Sequence, residues 1–395
     1  MSAYCPDMPA AQPHPFISFD FSTKVIDART WLLLGETMSK CQHLAGSPLK
    51  PGAAADLASV YLARGVQATT AIEGNTLSED EVKSIVDKGS ADVHESREYL
   101  QREVQNVLAA IRGMDEDLRT GRHLPITADH LRKLNKQVLD GIPDKPGVVP
   151  GQFREHDVAA GPYKAPHWPR VPGLVDDFVR WLQQLRESAA GGNDEDLFVT
   201  AVVSAILAHL YIAWIHPFGN GNGRTARLIE VQILSESGVV PLVATNLLSD
   251  HYNKTRNAYY LALDAAQTDV AAFVRYAVLG LAGELREQIA LVRRESLRIH
   301  WESYVYEVFR SMPSTEARDR QRLLALEMPS DRSLTPSETV VLTTELARRY
   351  AKCGERTPAR DLNDLVKLGL AAKHGRRSYS ARRDIIEAFV PPVSS

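Results

Sequence analysis

This sequence of 395 residues has little of what cross-links a fold or holds a metal. Its three cysteines, Cys5, Cys41 and Cys353, are scattered and odd in number. They form neither a disulfide framework nor the paired spacing of a zinc site, and a reducing compartment is the simplest reading. Net charge is also scarce. The chain has 46 Lys and Arg against 49 Asp and Glu, a formal charge of −3, which argues against wholesale coating of nucleic acid but leaves local patches open. The N-terminus lacks the basic start and apolar core of a signal peptide, so a cytoplasmic protein is expected. No fixed-period repeat or low-complexity tract is visible. The most apolar run, Ala201 to Ile215, is interrupted by His209 and reads as a buried central helix instead of a membrane span. The length suits two or three domains with a substantial core.

What is present gathers in one stretch, His216-Pro217-Phe218-Gly219-Asn220-Gly221-Asn222-Gly223-Arg224-Thr225-Ala226-Arg227. An apolar run from Leu197 to Ile215 precedes it, and a helical pattern from Leu228 to Ser237 follows, stopped by Gly238. The stretch therefore reads as a tight loop between two helices whose second half starts the later helix. Its glycines permit positive φ and close approach to a ligand. Amides at a helix start, with the dipole behind them, attract anions such as phosphate. Arg224 and Arg227 add fixed positive charge. His216 is the side chain suited to take a proton near neutral pH. No Gly-Lys-Ser/Thr follows the glycines, which excludes a Walker-type phosphate loop. An anion cradle with a base at its lip points to phosphoryl or nucleotidyl transfer.

The stretch resembles the signature of the Fic family, His-Pro-Phe-x-Asp/Glu-Gly-Asn-Gly-Arg-x-x-Arg, with one departure: Asn220 stands at the acidic position. The resemblance implies a mainly α fold, a helical bundle with a short β-hairpin flap. It also implies transfer of AMP from ATP to a Ser, Thr or Tyr hydroxyl of an unknown target protein. His216 would be the catalytic base. Gly221, Asn222, Gly223, Arg224 and Arg227 would bind the phosphates, while Phe218 anchors the loop. The family's acidic residue holds Mg2+. Asn220 keeps an oxygen donor there but loses the charge that hard cations favour. Weak metal binding, greater dependence on the arginines and a variant reaction all remain open.

Upstream, residues 1 to about 20 are rich in Pro and Ala and read as an arm with little regular structure. Helical patterns follow near Ala28 to Gln42 and Ala53 to Glu73, the second stopped by Gly74-Asn75. Ser78 with Glu81 forms a capping box for the next helix. Glu73 is oddly placed, because a carboxylate in a last turn faces the negative end of the helix dipole and would be more comfortable beside a cation. Thr69-Thr70-Ala71-Ile72-Glu73-Gly74 resembles the family's inhibitory motif, Ser/Thr-x-x-x-Glu-Gly/Asn. That implies an inhibitory helix at about residues 53–74, carrying Thr69 and Glu73, with Glu73 paired to Arg227 so that ATP cannot bind productively. Further on, helices are expected near Glu95 to Asp117 and from Thr127 to about Val138. Residues 141 to 173, rich in Pro and Gly, cannot form a long helix. Arg154 and the segment to His167 resemble the approach to the family's flap, which adds a target segment as a strand; a plain surface arginine reads equally well. Val171 to Leu185 is helical, with Trp181 on its apolar side.

After the signature, the resemblance places Tyr260 and Gln267 in an adenine pocket, where an aromatic face and a two-way amide suit the base. Tyr259 and Tyr260 read equally as core aromatics. A long amphipathic helix is expected from Gly283 to Ser311, then a polar stretch to Pro336, then one helix from Ser337 to Tyr350. Thr357-Pro358 opens another helix that Gly369 closes, and Lys373 to Tyr379 reads as a hairpin tip. This part resembles a small winged helix-turn-helix module. Arg360, Lys367, Arg376 and Arg377 suit DNA phosphates, whereas Asp361 and Asp364 would repel them, so a protein-binding module of the same shape stays open. The expected domains are 1–120, a helical region with the inhibitory helix; 121–285, the catalytic core; and 286–395, a helical linker with the winged module. Partners are ATP, a target protein, DNA through residues 337–383 if that module is a regulator, and no membrane; a homo-oligomer controlling Glu73 is left open. The alternatives to AMP transfer are a DNA-binding regulator with an ATP-sensing or silent site, and an enzyme that removes AMP with Glu73 activating a water.

Overall fold

The structure, a computed structural model, describes residues 14–143, 146–189 and 191–387; Cys5 and the first part of the expected N-terminal arm lie outside them. The chain divides into two compact units, residues 1–289 and 290–395.

The first unit contains α1 (Ala28–Ala45), α2 (Pro51–Ala71), α3 (Glu79–Lys88), α4 (Glu98–Arg119) and α5 (Ala128–Val138). A hairpin of β1 (Ala159–Ala160) and β2 (Tyr163–Lys164) comes next, then α6 (Val171–Glu187), α7 (Asp194–Ile215), α8 (Asn222–Glu236), α9 (Leu247–Lys254) and α10 (Arg256–Ala265). The long helix α11 (Val270–Arg310) starts in this unit and ends in the next. It begins at Val270, earlier than the Gly283 expected, because the polar turn at Thr268-Asp269 supplies its start: Asp269 accepts from Ala272 N at 3.0 Å.

Local chemistry sets the helix ends. The capping box of Ser78 and Glu81 is formed, and Thr127 accepts from His130 N at 3.1 Å to start α5. Asn193 opens α7 in the same way. Helix α7 is long and apolar enough to cross a membrane by length and composition, but it lies in the core, with every residue from Phe198 to Ile215 buried except Val199, Thr200 and Ala213. Burying each large aliphatic side chain is worth roughly 1.5–3 kcal/mol, and α7 spends that energy against α1, α6 and α8. Around it, α2 packs on α3, α4, α8 and α9, and α4 packs on α5 and α8. The hairpin pairs antiparallel, Ala159 with Lys164 and Ala160 with Tyr163. Tyr163 pins it by donating its hydroxyl to Trp214 O, 2.7 Å, at the end of α7.

The second unit adds α12 (Glu316–Glu327), α13 (Pro336–Val340), α14 (Thr344–Tyr350), α15 (Thr357–Lys367) and a hairpin of β3 (Ala371–His374) with β4 (Ser378–Ala381). Two expectations are corrected here. The stretch before Pro336 contains α12, whose good helix formers follow Thr315, the residue that accepts from Arg318 N. Ser337 to Tyr350 is two helices, because β-branched residues (Thr339, Val340, Val341, Thr343 and Thr344) favour a break and Thr343 caps α14. Leu334 bridges Tyr379 beside the hairpin, with amide–carbonyl bonds of 2.7 and 2.9 Å. Asp361 points inward instead of toward solvent. It is fully buried and accepts from Arg320 Nε at 2.7 Å and Gln321 Nε2 at 2.9 Å.

Removing one partner of a buried ion pair strands the other, at about 3–5 kcal/mol. Asp361→Ala should therefore destabilise the second unit selectively, raising amide exchange across residues 316–381 while protection in α7 and α8 stays unchanged. Unaltered exchange in both units would refute the role given to this pair.

Candidate active site

The signature loop joins α7 to α8, and three polar side chains fold it. Asn222, the first residue of α8, is buried; its Oδ1 accepts from Phe218 N at 2.9 Å and its Nδ2 donates to Phe218 O at 2.8 Å. Its side chain is thus spent on the loop, and only its main chain is left to meet a ligand. Asn135 of α5, also buried, donates to Asn220 O at 2.9 Å and accepts from Gly151 N at 2.9 Å. Gly221 sits between them at φ 75°, in the left-handed region, where a Cβ would come within 2.9 Å of Asn135 Nδ2.

Arg154 is the third. It is buried, not a surface residue, and its guanidinium is given over to main-chain carbonyls: Nε to His216 O at 2.8 Å, Nη1 to His156 O at 2.9 Å and Nη2 to Pro166 O at 2.5 Å. Its own amide donates to Pro217 O at 3.0 Å. These bonds tie the segment before the β1–β2 hairpin to His216, which adopts φ 48°, a costly conformation for a residue with a Cβ.

His216 is half-buried and its Nδ1 lies 3.3 Å from Ala213 O. A proton on Nδ1 satisfies that carbonyl and leaves Nε2 as the basic nitrogen. Burial chiefly, with the charge of Arg154, holds the imidazole below its ordinary value of 6.5, against the opposing pull of Ala213 O and Glu73. The ring is therefore neutral at neutral pH.

Both arginines of the motif are buried and face carboxylates. Arg227 Nη2 donates to Glu73 Oε1 at 2.6 Å and to the main-chain oxygen of Thr69 at 2.9 Å. Burial works against charge on Glu73, but Arg227, Arg224 and the hydrogen bond outweigh it and hold the carboxyl below the usual range. The carboxylate lies over the first turn of α8, where a Cβ on Gly223 would come within 2.1 Å of Glu73 Oε1. The absence of a side chain at Gly223 is thus what lets the Glu73 carboxylate reach the helix start. Arg224 Nη1 donates to Glu103 Oε1 at 2.6 Å and Nη2 lies 3.5 Å from Asn220 Oδ1. The Nε of each arginine is buried without a partner among the described residues.

The turn bearing Glu73 is held from several sides. Gly74 takes φ 101°, and Asn75 Nδ2 donates to Leu100 O and to Glu103 Oε2, both at 2.9 Å. Arg256 Nη2 donates to Ala71 O at 2.6 Å, satisfying the carbonyl end of α2. Tyr260 is half-exposed on α10, with its hydroxyl 3.5 Å from Ile72 O. Gln267 lies just past α10, where Nε2 donates to Asp264 at 2.8 Å. Tyr259 points into the core, 2.8 Å from His209 Nε2. Sequence reasoning missed Glu103, Asn75, Asn135 and Arg256. Only Asn75, beside Gly74, carried any local signal.

The donor set does not fit a divalent cation. Asn220 Oδ1 accepts from Gly221 N at 2.7 Å and faces Arg224. Glu73 and Glu103 each hold a guanidinium. Among the described residues, no group of three or more His, Cys, Asp or Glu comes together for a metal.

Residues 125–234, which hold α5 to α7, the loop just described and most of α8, match the family model described as Fic/DOC family. Over this segment the chain resembles the Fic/DOC family. The chain is 31% identical over 231 residues, 58% of its length, to the protein adenylyltransferase fic-1 of Caenorhabditis elegans. It is 30% identical over 216 residues to the protein adenylyltransferase Fic of Drosophila melanogaster. It spans 41% and 37% of these two relatives. Among solved structures, a Fic family protein from Desulfovibrio desulfuricans G20 superposes with a TM-score of 0.54 at 20% identity, over 90% of this chain and 97% of that one. Residues 134–508 of Fic-1 from Caenorhabditis elegans give 0.51 at 24% identity, over 68% of this chain and 74% of that one. The helical bundle around this segment thus has a fold like that of these Fic proteins.

The Arg154 bonds give a direct test. Arg154→Ala should lower the unfolding free energy of the first unit by roughly 3 kcal/mol, since several buried carbonyls lose a charged donor. Arg154→Lys should recover little, having no planar fork to reach them. Urea denaturation reads both, and a lysine variant as stable as wild type would overturn the clamp.

Proposed function

We propose that the chain transfers AMP from ATP to a hydroxyl side chain of a target protein and that Glu73 restrains it. The observation that carries this reading is the Glu73 carboxylate, seated on Arg227 at the start of α8, where the triphosphate of a nucleotide would otherwise lie. The relatives named protein adenylyltransferase support the reaction class.

With Glu73 withdrawn, the Gly221-Asn222-Gly223 main chain and the two arginines form an anion cradle. His216 Nε2 takes the proton of a Ser, Thr or Tyr hydroxyl whose oxygen attacks the α-phosphorus. The bond from that phosphorus to the bridging oxygen breaks, and pyrophosphate leaves with its charge on Arg224 and Arg227. The β1–β2 hairpin, fixed to α7 through Tyr163, offers the edge along which a target segment aligns. Tyr260 offers its half-exposed ring to the base, and Gln267 its amide. Cys41 and Cys353 are free thiols, which suits a reducing compartment such as the cytoplasm.

Incorporation of labelled AMP into lysate proteins should be undetectable for wild type, clear for Glu73→Gly, and lost about 10²–10⁴-fold in Glu73→Gly/His216→Ala, the range of a general base. Because the folded environment lowers the His216 pKa, the Glu73→Gly rate should be flat at neutral pH and fall only as pH drops below 6.5. No labelling by any variant, despite ATP binding, sinks the transferase reading.

A second reading concerns the second unit. Residues 351–383 hold nine Lys and Arg against three Asp and Glu in a chain whose total is −3. Of the acids, Asp361 is neutralised inside the unit by Arg320, while Arg356, Arg360, Lys373, Arg376 and Arg377 are exposed. We propose that this face, with α15 and the β3–β4 tip in a winged helix arrangement, binds duplex DNA. Anisotropy of a labelled duplex with the full chain should show binding that weakens with salt, and Arg376→Ala/Arg377→Ala should reduce the salt slope by roughly two. No binding at low salt dismisses it.

A further inference from the structure

The contacts of Arg224 deepen the nucleotide reading and rest on it. The oxygen that this family's signature offers to a divalent cation belongs here to a neutral amide, Asn220. That amide oxygen already accepts from Gly221 N at 2.7 Å and lies 3.5 Å from Arg224 Nη2. On the other side, Arg224 Nη1 is held by Glu103 Oε1 at 2.6 Å, and Asn75 Nδ2 holds the second oxygen of Glu103 at 2.9 Å. The guanidinium is therefore gripped between Asn220 and Glu103, 3% exposed, with Nε–H buried and without a partner among the described residues.

Three physical consequences follow. Mg2+ demands near-ideal octahedral oxygen ligands and gives up its waters reluctantly, which a neutral amide oxygen engaged in its own loop does not repay. A fixed guanidinium beside that oxygen repels a dication in a site of low dielectric. The same guanidinium offers a phosphate oxygen a planar, permanently charged donor already immobilised by its partners.

We propose that this site binds its nucleoside triphosphate without a divalent cation, Arg224 supplying the charge that the metal supplies elsewhere. Glu103 and Asn220 keep the guanidinium in place for that purpose. The site then has no need of the metal complex, because chelation removes charge that Arg224 and Arg227 would otherwise meet.

The experiment is calorimetric titration of ATP into the full chain carrying Glu73→Gly, with excess Mg2+ or with EDTA, at matched ionic strength. The expected result is a dissociation constant no weaker in EDTA than in Mg2+, within about twofold. Adding Asn220→Asp should reverse this. The new carboxylate preserves the bond from Gly221 N but repels bare phosphate, so affinity in EDTA should fall roughly tenfold and Mg2+ should restore it. Binding by Glu73→Gly that requires Mg2+ overturns the proposal while leaving the nucleotide site intact. Absence of ATP binding in both buffers overturns the nucleotide reading itself, and this inference with it.

Discussion

Two arginines buried at the foot of one helix require negative charge, and much of the first unit is arranged to provide it. Arg224 and Arg227 project from the first turns of α8, where the amides and the dipole already favour an anion. Their burial, at 3% and 1% exposure, makes an unpaired state costly. Glu103 on α4 and Glu73 just past α2 meet the two guanidiniums. Under the proposed function, protein carboxylates and nucleotide phosphates compete for the same donors.

The competition is asymmetric, and the difference lies in what holds each acid. Glu103 is within a helix of 22 residues and is gripped by Asn75 as well as by Arg224. Glu73 stands on a turn after the last residue of α2, next to a glycine at φ 101°, on exposed main chain. A turn can move without unfolding the bundle, whereas a helix in the core cannot. Glu73 is therefore the carboxylate suited to yield, and Glu103 the one suited to stay. Arg256 and Tyr260, both on α10, meet carbonyls at the end of α2, those of Ala71 and Ile72.

The second unit shows how pairing inside a fold changes what a charge means outside it. In the sequence Asp361 weighs against a nucleic-acid face, since it falls on the same helix as Arg360 and Lys367. In the structure its carboxylate is consumed by Arg320 of α12, a helix hidden in a stretch that looked merely polar. Four arginines and two lysines, Lys367 and Lys373, remain exposed around α15 and the hairpin, and the acid that seemed to oppose them is withdrawn from the surface.

The sequence by itself determined the main elements of the first unit and the chemistry of its central loop. Helix periods, the Ser78–Glu81 and Thr127 caps, the Gly74 stop and the twelve residues from His216 to Arg227 are all local, written within a few positions of one another. The Glu73–Arg227 contact was anticipated across 154 residues only because a second short motif resembled one known to pair with the first. Tertiary structure alone decided what has no local signature. Arg154 became a buried clamp on the main chain of His216, Asn135 a support for the glycine turn, Glu103 the partner of Arg224, and Asp361 an interior charge. Each sits in an ordinary polar or helical context, and its role depends on which distant donor or acceptor the packed helices bring within 3 Å. Hydrogen-bond satisfaction in a core is a property of the assembled fold, and a sequence read locally cannot state it.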